Sequence, residues 1–187
     1  MPATAPSSAS SRPVEVLIDH LRRHALRTDG PFTLRSGEES AWYLDARQTT
    51  FDGAGARLVG EAVAAVLPVA TTAVGGLTIG ADPVALATAM SRPPLRAFSI
   101  RAVPKDHGTG GRIVGPVAPG DRVVVVEDTT TSGSAMIEAV EVLTAAGIEI
   151  IGAVAVVDRS GGAAARLLAE RGVSLTTLIS PADLGVS

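Results

Sequence analysis

The chain has 187 residues, 46% of them apolar, a formal net charge of −3 and no cysteine. That length suits one domain, and the mild acidity argues against nucleic acid held by general electrostatics. The missing cysteines exclude disulfides, thiolate metal sites and cysteine nucleophiles. No apolar run reaches the roughly 18–20 residues needed to span a bilayer, so no membrane partner is expected and the cytoplasm is the default location.

Residues 1–13, MPATAPSSASSRP, have no periodicity and lack the apolar or arginine-rich helix of a targeting peptide. They are expected to form a disordered tail ahead of a single domain over 14–187. From Val14 to Leu26, Val14, Leu17, Ile18, Leu21 and Ala25 recur at helical spacing. His20 and His24 lie four apart on this helix; with no third metal ligand nearby, they read as surface residues. FTLRSGEESAWYLDAR reads as two short strands around a Ser-Gly turn, and Gly53 to Leu67 as a helix.

Beyond it the chain alternates. TTAVGGL is a strand, and DPVALATAM a helix with Asp82 as its N-cap and Pro83 at its first position. LRAFSIR is a strand, followed by a polar loop from Ala102 to Arg112. DRVVVVED, IEIIGAVAVVD and SLTTLI are strands; SAMIEAVEVLTAAG, closed by Gly147, and GAAARLLAERG are helices. Continuous Val/Ile strands alternating with helices imply an α/β fold, a parallel sheet covered on both faces.

One segment carries chemistry. In VVVVEDTTTSGSA, Val123 to Ala135, a buried strand runs into Glu127 and Asp128, then into small hydroxyl residues. Ligands of open parallel sheets bind beyond the carboxyl ends of the strands. Backbone N–H groups at the following helix start, with hydroxyls from Thr130, Thr131, Ser132 and Ser134, make a phosphate cradle, and Gly133 allows close approach. The acid pair suits vicinal sugar hydroxyls, so a ribose 5-phosphate fits both halves. Alternatively, Thr129 and Ser132 merely cap the helix, although six consecutive residues of capping type exceed what one cap needs.

Val123 to Ala135 resembles the phosphoribosyl-pyrophosphate (PRPP) motif of type I phosphoribosyltransferases. FTLRSGEESAWYLDAR, RAVPKDHGTGG and VVDRSGGAA are similar to the N-terminal segment, the catalytic loop and a later strand end of the orotate phosphoribosyltransferase branch. The resemblance runs from about Val14 to the end of the chain. It implies the type I phosphoribosyltransferase fold with a small N-terminal hood. The implied reaction takes orotate and PRPP to orotidine 5′-monophosphate and pyrophosphate, a step toward UMP.

It further implies PRPP contacts from Glu127, Asp128, Thr129, Thr130, Thr131, Ser132, Gly133, Ser134 and Ala135, and from Arg35, Arg101, Lys105 and His107. Lys105 would be the main catalytic lysine, with His107 and Asp128 as further catalytic candidates. Orotate contacts fall on Tyr43, Leu44, Thr131 and Arg159. The family's lid reaches into the neighbouring subunit's site, which implies a homodimer. Mg²⁺ would be held mainly through the diphosphate, without a dedicated protein metal cage.

The chain departs from the family pattern in four places. Ala102 follows Arg101 where a lysine is usual, and Ile79 stands where many members carry a lysine. Leu44 replaces an aromatic ring, and Arg35 a lysine. Losing one charged contact to a transition state costs about 2–4 kcal/mol. Two other readings therefore stand beside the first: transfer to another base, and a non-catalytic PRPP-binding regulator, which usually needs a DNA-binding element not found here.

Overall fold

The computed structural model describes residues 11–33, 37, 39–104 and 111–187. Helix α1 (Ser11–His24) begins inside the segment expected to be a tail. It leads into four two-residue strands, β1 (Leu26–Arg27), β2 (Phe32–Thr33), β3 (Glu39–Ser40) and β4 (Tyr43–Leu44). β2 and β3 form the expected antiparallel pair around the Ser-Gly segment, and β1 pairs with β4 outside it. This small hood continues into α2 (Arg47–Thr50), one turn that sequence periodicity is too short to reveal.

Helix α3 (Gly53–Val66) is capped by Asp52, whose carboxylate accepts from the N–H groups of Ala54 and Gly55 at 3.0 and 2.9 Å. Then follow β5 (Ala73–Leu77), α4 (Ala81–Ser91), β6 (Arg96–Ile100), β7 (Ile113–Val114), β8 (Arg122–Thr130), α5 (Ser134–Ala145), β9 (Glu149–Asp158), α6 (Ala163–Ala169) and β10 (Leu175–Ile179). The main sheet runs β10-β9-β8-β5-β6-β7; its pairs are parallel except β6–β7, an antiparallel edge that the loop composition concealed.

Strand alternation divides the core. Val124, Val126, Val154 and Val156 pack with α1, α3 and α4 on one face, while Val123, Val125, Ala153 and Ala155 pack with α5 and α6 on the other. Chain order reverses between β5 and β8: β6 lies beyond one, β9 and β10 beyond the other. Such a switch point opens a crevice at the strands' carboxyl ends.

Three local expectations change. Asp82 is not the cap of α4: the helix starts at Ala81, two residues earlier than expected, and the carboxylate instead accepts from the hydroxyls of Thr78 and Ser99, each at 2.6 Å. β8 does not end on its acids. The β-branched Thr129 and Thr130 continue the ladder opposite Val157 and Asp158, so Glu127 and Asp128 lie within the strand. His20 is not a surface residue: its ring nitrogens lie 3.2 Å from Thr49 Oγ1 and 3.3 Å from Asp52 Oδ1, tying α1 to the start of α3. His24 is exposed and its ring lies 4.4 Å from that of His20. Among the described residues, no helix is long and apolar enough to cross a membrane.

Candidate active site

At the switch point, the ends of β5, β8 and β9 and the hood enclose a cleft of about 330 Å³ lined by Tyr43 to Arg47, Ile79, Gly80, Asp128, Thr129, Thr131 and Arg159. A larger cleft, about 480 Å³, opens at the opposite rim beside Thr72, Arg92 and Arg96. There both arginines are engaged, Arg92 with the carbonyls of Leu67, Pro68 and Val69, and Arg96 with Asp121. Chemistry rather than volume marks the first cleft as the site.

Of the acid pair, Asp128 lines the cleft and Glu127 is buried beside it. Adjacent strand residues ordinarily point to opposite faces, yet both carboxylates converge on Gly80. A Cβ placed there would stand 2.5 Å from Glu127 Oε1 and 2.7 Å from Asp128 Oδ1. Gly80 has φ −63° and ψ −42°, open to any residue, so close approach to the acids is what demands glycine. Burial of Glu127, and then the neighbouring Asp128 charge, push its carboxyl up to about 9. Burial raises Asp128 too, opposed by hydrogen bonds from Glu127 and the Thr129 N–H (2.6 Å) and by the Arg47 guanidinium. Burial and the adjoining acid thus favour the protonated form of Glu127 at neutral pH.

Beyond the acids the chain turns tightly into α5. Thr130 is buried, and its hydroxyl accepts from the Gly133 N–H at 3.0 Å, so it braces the turn from inside. Gly133 has φ +81°, and a Cβ there would lie 3.0 Å from Ala164, so geometry and packing both require glycine. Thr131, Ser132 and Ser134 are exposed, with Ser132 Oγ 3.0 Å from Ser134 Oγ. Ala135 lies in the first turn of α5, where N–H groups have no intrahelical acceptor. Thr129 Oγ1 is buried at the cleft wall without a hydrogen-bond partner among the described residues.

Arg159 extends from the end of β9. Its backbone N–H donates to the Thr130 carbonyl at 2.8 Å, and its guanidinium lies 4.1 Å from the Trp42 ring centroid. Partial burial lowers its pKa below the ordinary value, though a guanidinium stays charged. Among the described residues it has no carboxylate or hydrogen-bond partner for its side chain. Tyr43 is exposed at the mouth, whereas Leu44 is only 5% exposed and packs mainly into the core.

Arg101 anchors the base of the loop: its N–H donates to the Arg112 carbonyl and its own carbonyl accepts from Arg112 Nε, at 2.8 and 2.7 Å. Arg112 also pairs with Glu138 on α5. Arg35, Lys105 and His107 lie outside the described residues. The cleft therefore gathers Tyr43, Leu44, Asp128, Thr129, Thr131 and Arg159; Arg101, Glu127, Thr130, Ser132, Gly133, Ser134 and Ala135 do not line it.

Sequence reasoning missed three contributors. Arg47 lines the cleft, held by Asp45 at 2.7 Å; that pairing keeps the Asp45 carboxyl below its usual range. Gly80 and Trp42 were missed as well. The only signal was proximity to residues already singled out, Tyr43 and Leu44 for the first and last, Ile79 for Gly80.

A family model described as the phosphoribosyl transferase domain matches residues 62–175. The chain is 38% identical over 191 residues to an orotate phosphoribosyltransferase of Rhodopirellula baltica, spanning 96% of this chain and 98% of that protein. It is 42% identical over 164 residues to the Corynebacterium glutamicum protein of the same name, spanning 84% and 86%. The crystal structure of Mycobacterium tuberculosis orotate phosphoribosyltransferase in complex with PRPP superposes with a TM-score of 0.78 at 33% identity, covering 93% of this chain and 99% of that one.

Proposed function

Because the chain belongs to the orotate phosphoribosyltransferase family, we propose that this cleft transfers the 5-phosphoribosyl group of PRPP to orotate, giving orotidine 5′-monophosphate and pyrophosphate. The observation that carries the base assignment is Arg159. A half-buried guanidinium with no anionic partner among the described residues, opening on the same cleft as Asp128 and Thr131, suits a planar carboxylate.

PRPP would lie along the acid pair. Its ribose hydroxyls meet Asp128, which accepts, and protonated Glu127, which can also donate. Its 5-phosphate meets the exposed hydroxyls of Thr131, Ser132 and Ser134 and the N–H groups opening α5. Thr129 supplies a hydroxyl at the wall that has no partner among the described residues. Displacement of diphosphate passes through a sugar cation, which the Asp128 carboxyl faces from the ribose side and would stabilise when ionised. Negative charge grows on the leaving group, where Arg101, Lys105, His107 and Arg35 are the cations assigned to it. A closed lid keeps water from the activated sugar.

The cleft's acidic and hydroxyl donors are all oxygen, a hard set that suits Mg²⁺. Among the described residues no three His, Asp or Glu side chains cluster as a cage. Asp128 is the carboxylate that would face an ion held by diphosphate oxygens. When bound, the ion neutralises diphosphate charge.

A homodimer is supported by an apolar groove of about 420 Å³ between the α2–α3 corner and α4. Phe51, Ile79, Leu86 and Met90 are each more than half exposed on it, an arrangement characteristic of association surfaces. Ile79 lines the cleft as well, so a second copy seated on the groove would lie next to the cleft.

A spectrophotometric assay with orotate, PRPP and Mg²⁺ tests the reaction, with turnover expected in the ordinary range of about 1–1000 per second. Arg159→Ala should raise the KM for orotate about a hundredfold, the worth of a charge-assisted pair, and affect PRPP far less. Equal effects on both substrates would refute the pocket assignment. Tight PRPP binding without turnover would replace the enzyme by a regulator.

A further inference from the structure

Arg159 is a long side chain at a strand end, and its backbone alone does not aim it. The backbone is pinned twice: the Arg159 N–H donates to Thr130 O, and the next N–H, of Ser160, donates to the Asp158 carboxylate at 2.7 Å. The guanidinium lies against the face of Trp42, 4.1 Å from the ring centroid, with Tyr43 lining the same cleft. Trp42 is held from three directions. Its N–H and carbonyl engage the Ser40 hydroxyl at 3.3 and 2.7 Å, and its indole N–H donates to the Ser187 carbonyl at 3.2 Å. It is 9% exposed, packed in the same core as Leu44 and Leu184, and it does not line the cleft.

We infer that Trp42 is a positioning residue for base recognition: its backbone fixed by Ser40 and its indole by Ser187, it covers one face of the Arg159 guanidinium and holds its edge toward the cleft to receive the carboxylate of the base. The inference rests on the assignment of Arg159 to that carboxylate. Stacking leaves the in-plane N–H donors free, because the aromatic ring occupies only the face, where guanidinium makes no hydrogen bonds. It also replaces water over that face with an attractive ring quadrupole. An acidic partner would hold the arginine as firmly but would neutralise it and take the donors the substrate needs.

Steady-state kinetics of Trp42→Leu and Trp42→Phe, alone and combined with Arg159→Ala, test this. Trp42→Leu should raise the KM for orotate about fivefold to tenfold, the range of one partly desolvated cation–π contact, and leave the KM for PRPP unchanged. Trp42→Phe, which keeps a weaker face, should lose less. In the Arg159→Ala background, Trp42→Leu should add nothing to the KM for orotate.

A Trp42→Leu effect equal on both substrates, or fully additive with Arg159→Ala, would make Trp42 a packing residue and overturn the inference. An unchanged KM for orotate in Arg159→Ala itself would instead overturn the pocket assignment, so the two failures are distinguishable. Should Trp42→Leu not fold, the wild-type chain decides. Trp42 is its single tryptophan, and with PRPP present, orotate should change its emission in wild type and not in Arg159→Ala. Emission indifferent to orotate in the wild type would again refute positioning.

Discussion

The proton on Glu127 should make this fold less stable in mild alkali, and Glu127→Gln should abolish that dependence. In the folded chain Glu127 titrates near about 9, whereas in an unfolded chain a glutamate titrates near about 4.3. Between those values the folded state holds one proton that the unfolded state has released. Stability therefore falls as pH rises, by up to about 1.4 kcal/mol per pH unit. The contribution is fully present below the unfolded value and is lost as pH climbs through the folded one.

From about pH 6 to about pH 8 the expected loss is about 2.5 kcal/mol, or about 5–10 °C in Tm for a chain of this size. The lowered carboxyls of Asp45, Asp52 and Asp121 titrate below this window and add no slope within it. Glutamine keeps the shape and the donor but cannot ionise. Urea denaturation of both proteins at the two pH values should show the variant gaining about 2.5 kcal/mol on wild type over the interval. Parallel pH dependences would refute a protonated Glu127.

Gly80→Ala inserts a methyl group against both acids, so its backbone-entropy gain of about 0.5–1 kcal/mol should be outweighed by overpacking of about 1–3 kcal/mol. Displaced carboxylates should also lower kcat/KM for PRPP about a hundredfold. Gly53→Ala, where a Cβ meets nothing within 4 Å, is the control and should be neutral or slightly stabilising. Wild-type PRPP kinetics in Gly80→Ala would show that the loop gives way instead of the acids. Met90→Glu changes a residue 74% exposed on the apolar groove. On a free surface it should shift stability by no more than about 0.5 kcal/mol. If that groove joins two copies, analytical ultracentrifugation should show a monomer with reduced activity, and an unaltered dimer would place the interface elsewhere.

Much of the fold was legible because its signals are local. Val/Ile runs and 3.6-residue periodicity outline β5, β6, β8, β9, β10 and the long helices without any knowledge of neighbours, and glycine at 147 closes α5 at φ +70° as its position suggests. The acid pair and the hydroxyl turn were legible too, since strand, acids and turn occupy one continuous stretch. The misreadings arose where local chemistry had a distant competitor. Asp82 looks like a cap until Ser99, on the next strand, claims its carboxylate. His20 looks exposed until Thr49 and Asp52 fold over it. The acids look like the end of a strand until β9 offers a ladder to Thr129 and Thr130.

The sequence by itself determined the alternation of buried strands and helices, and the residue types gathered at the rim, because propensity and side-chain period act over a few residues. Only the tertiary structure decided that Arg159 should lie against Trp42, that Gly80 should close on both carboxylates, and that Glu127 should keep its proton at neutral pH. Those outcomes depend on burial and on contacts across dozens of residues of chain. Desolvation and close packing come into being only when the hood, the switch point and the strand ends meet.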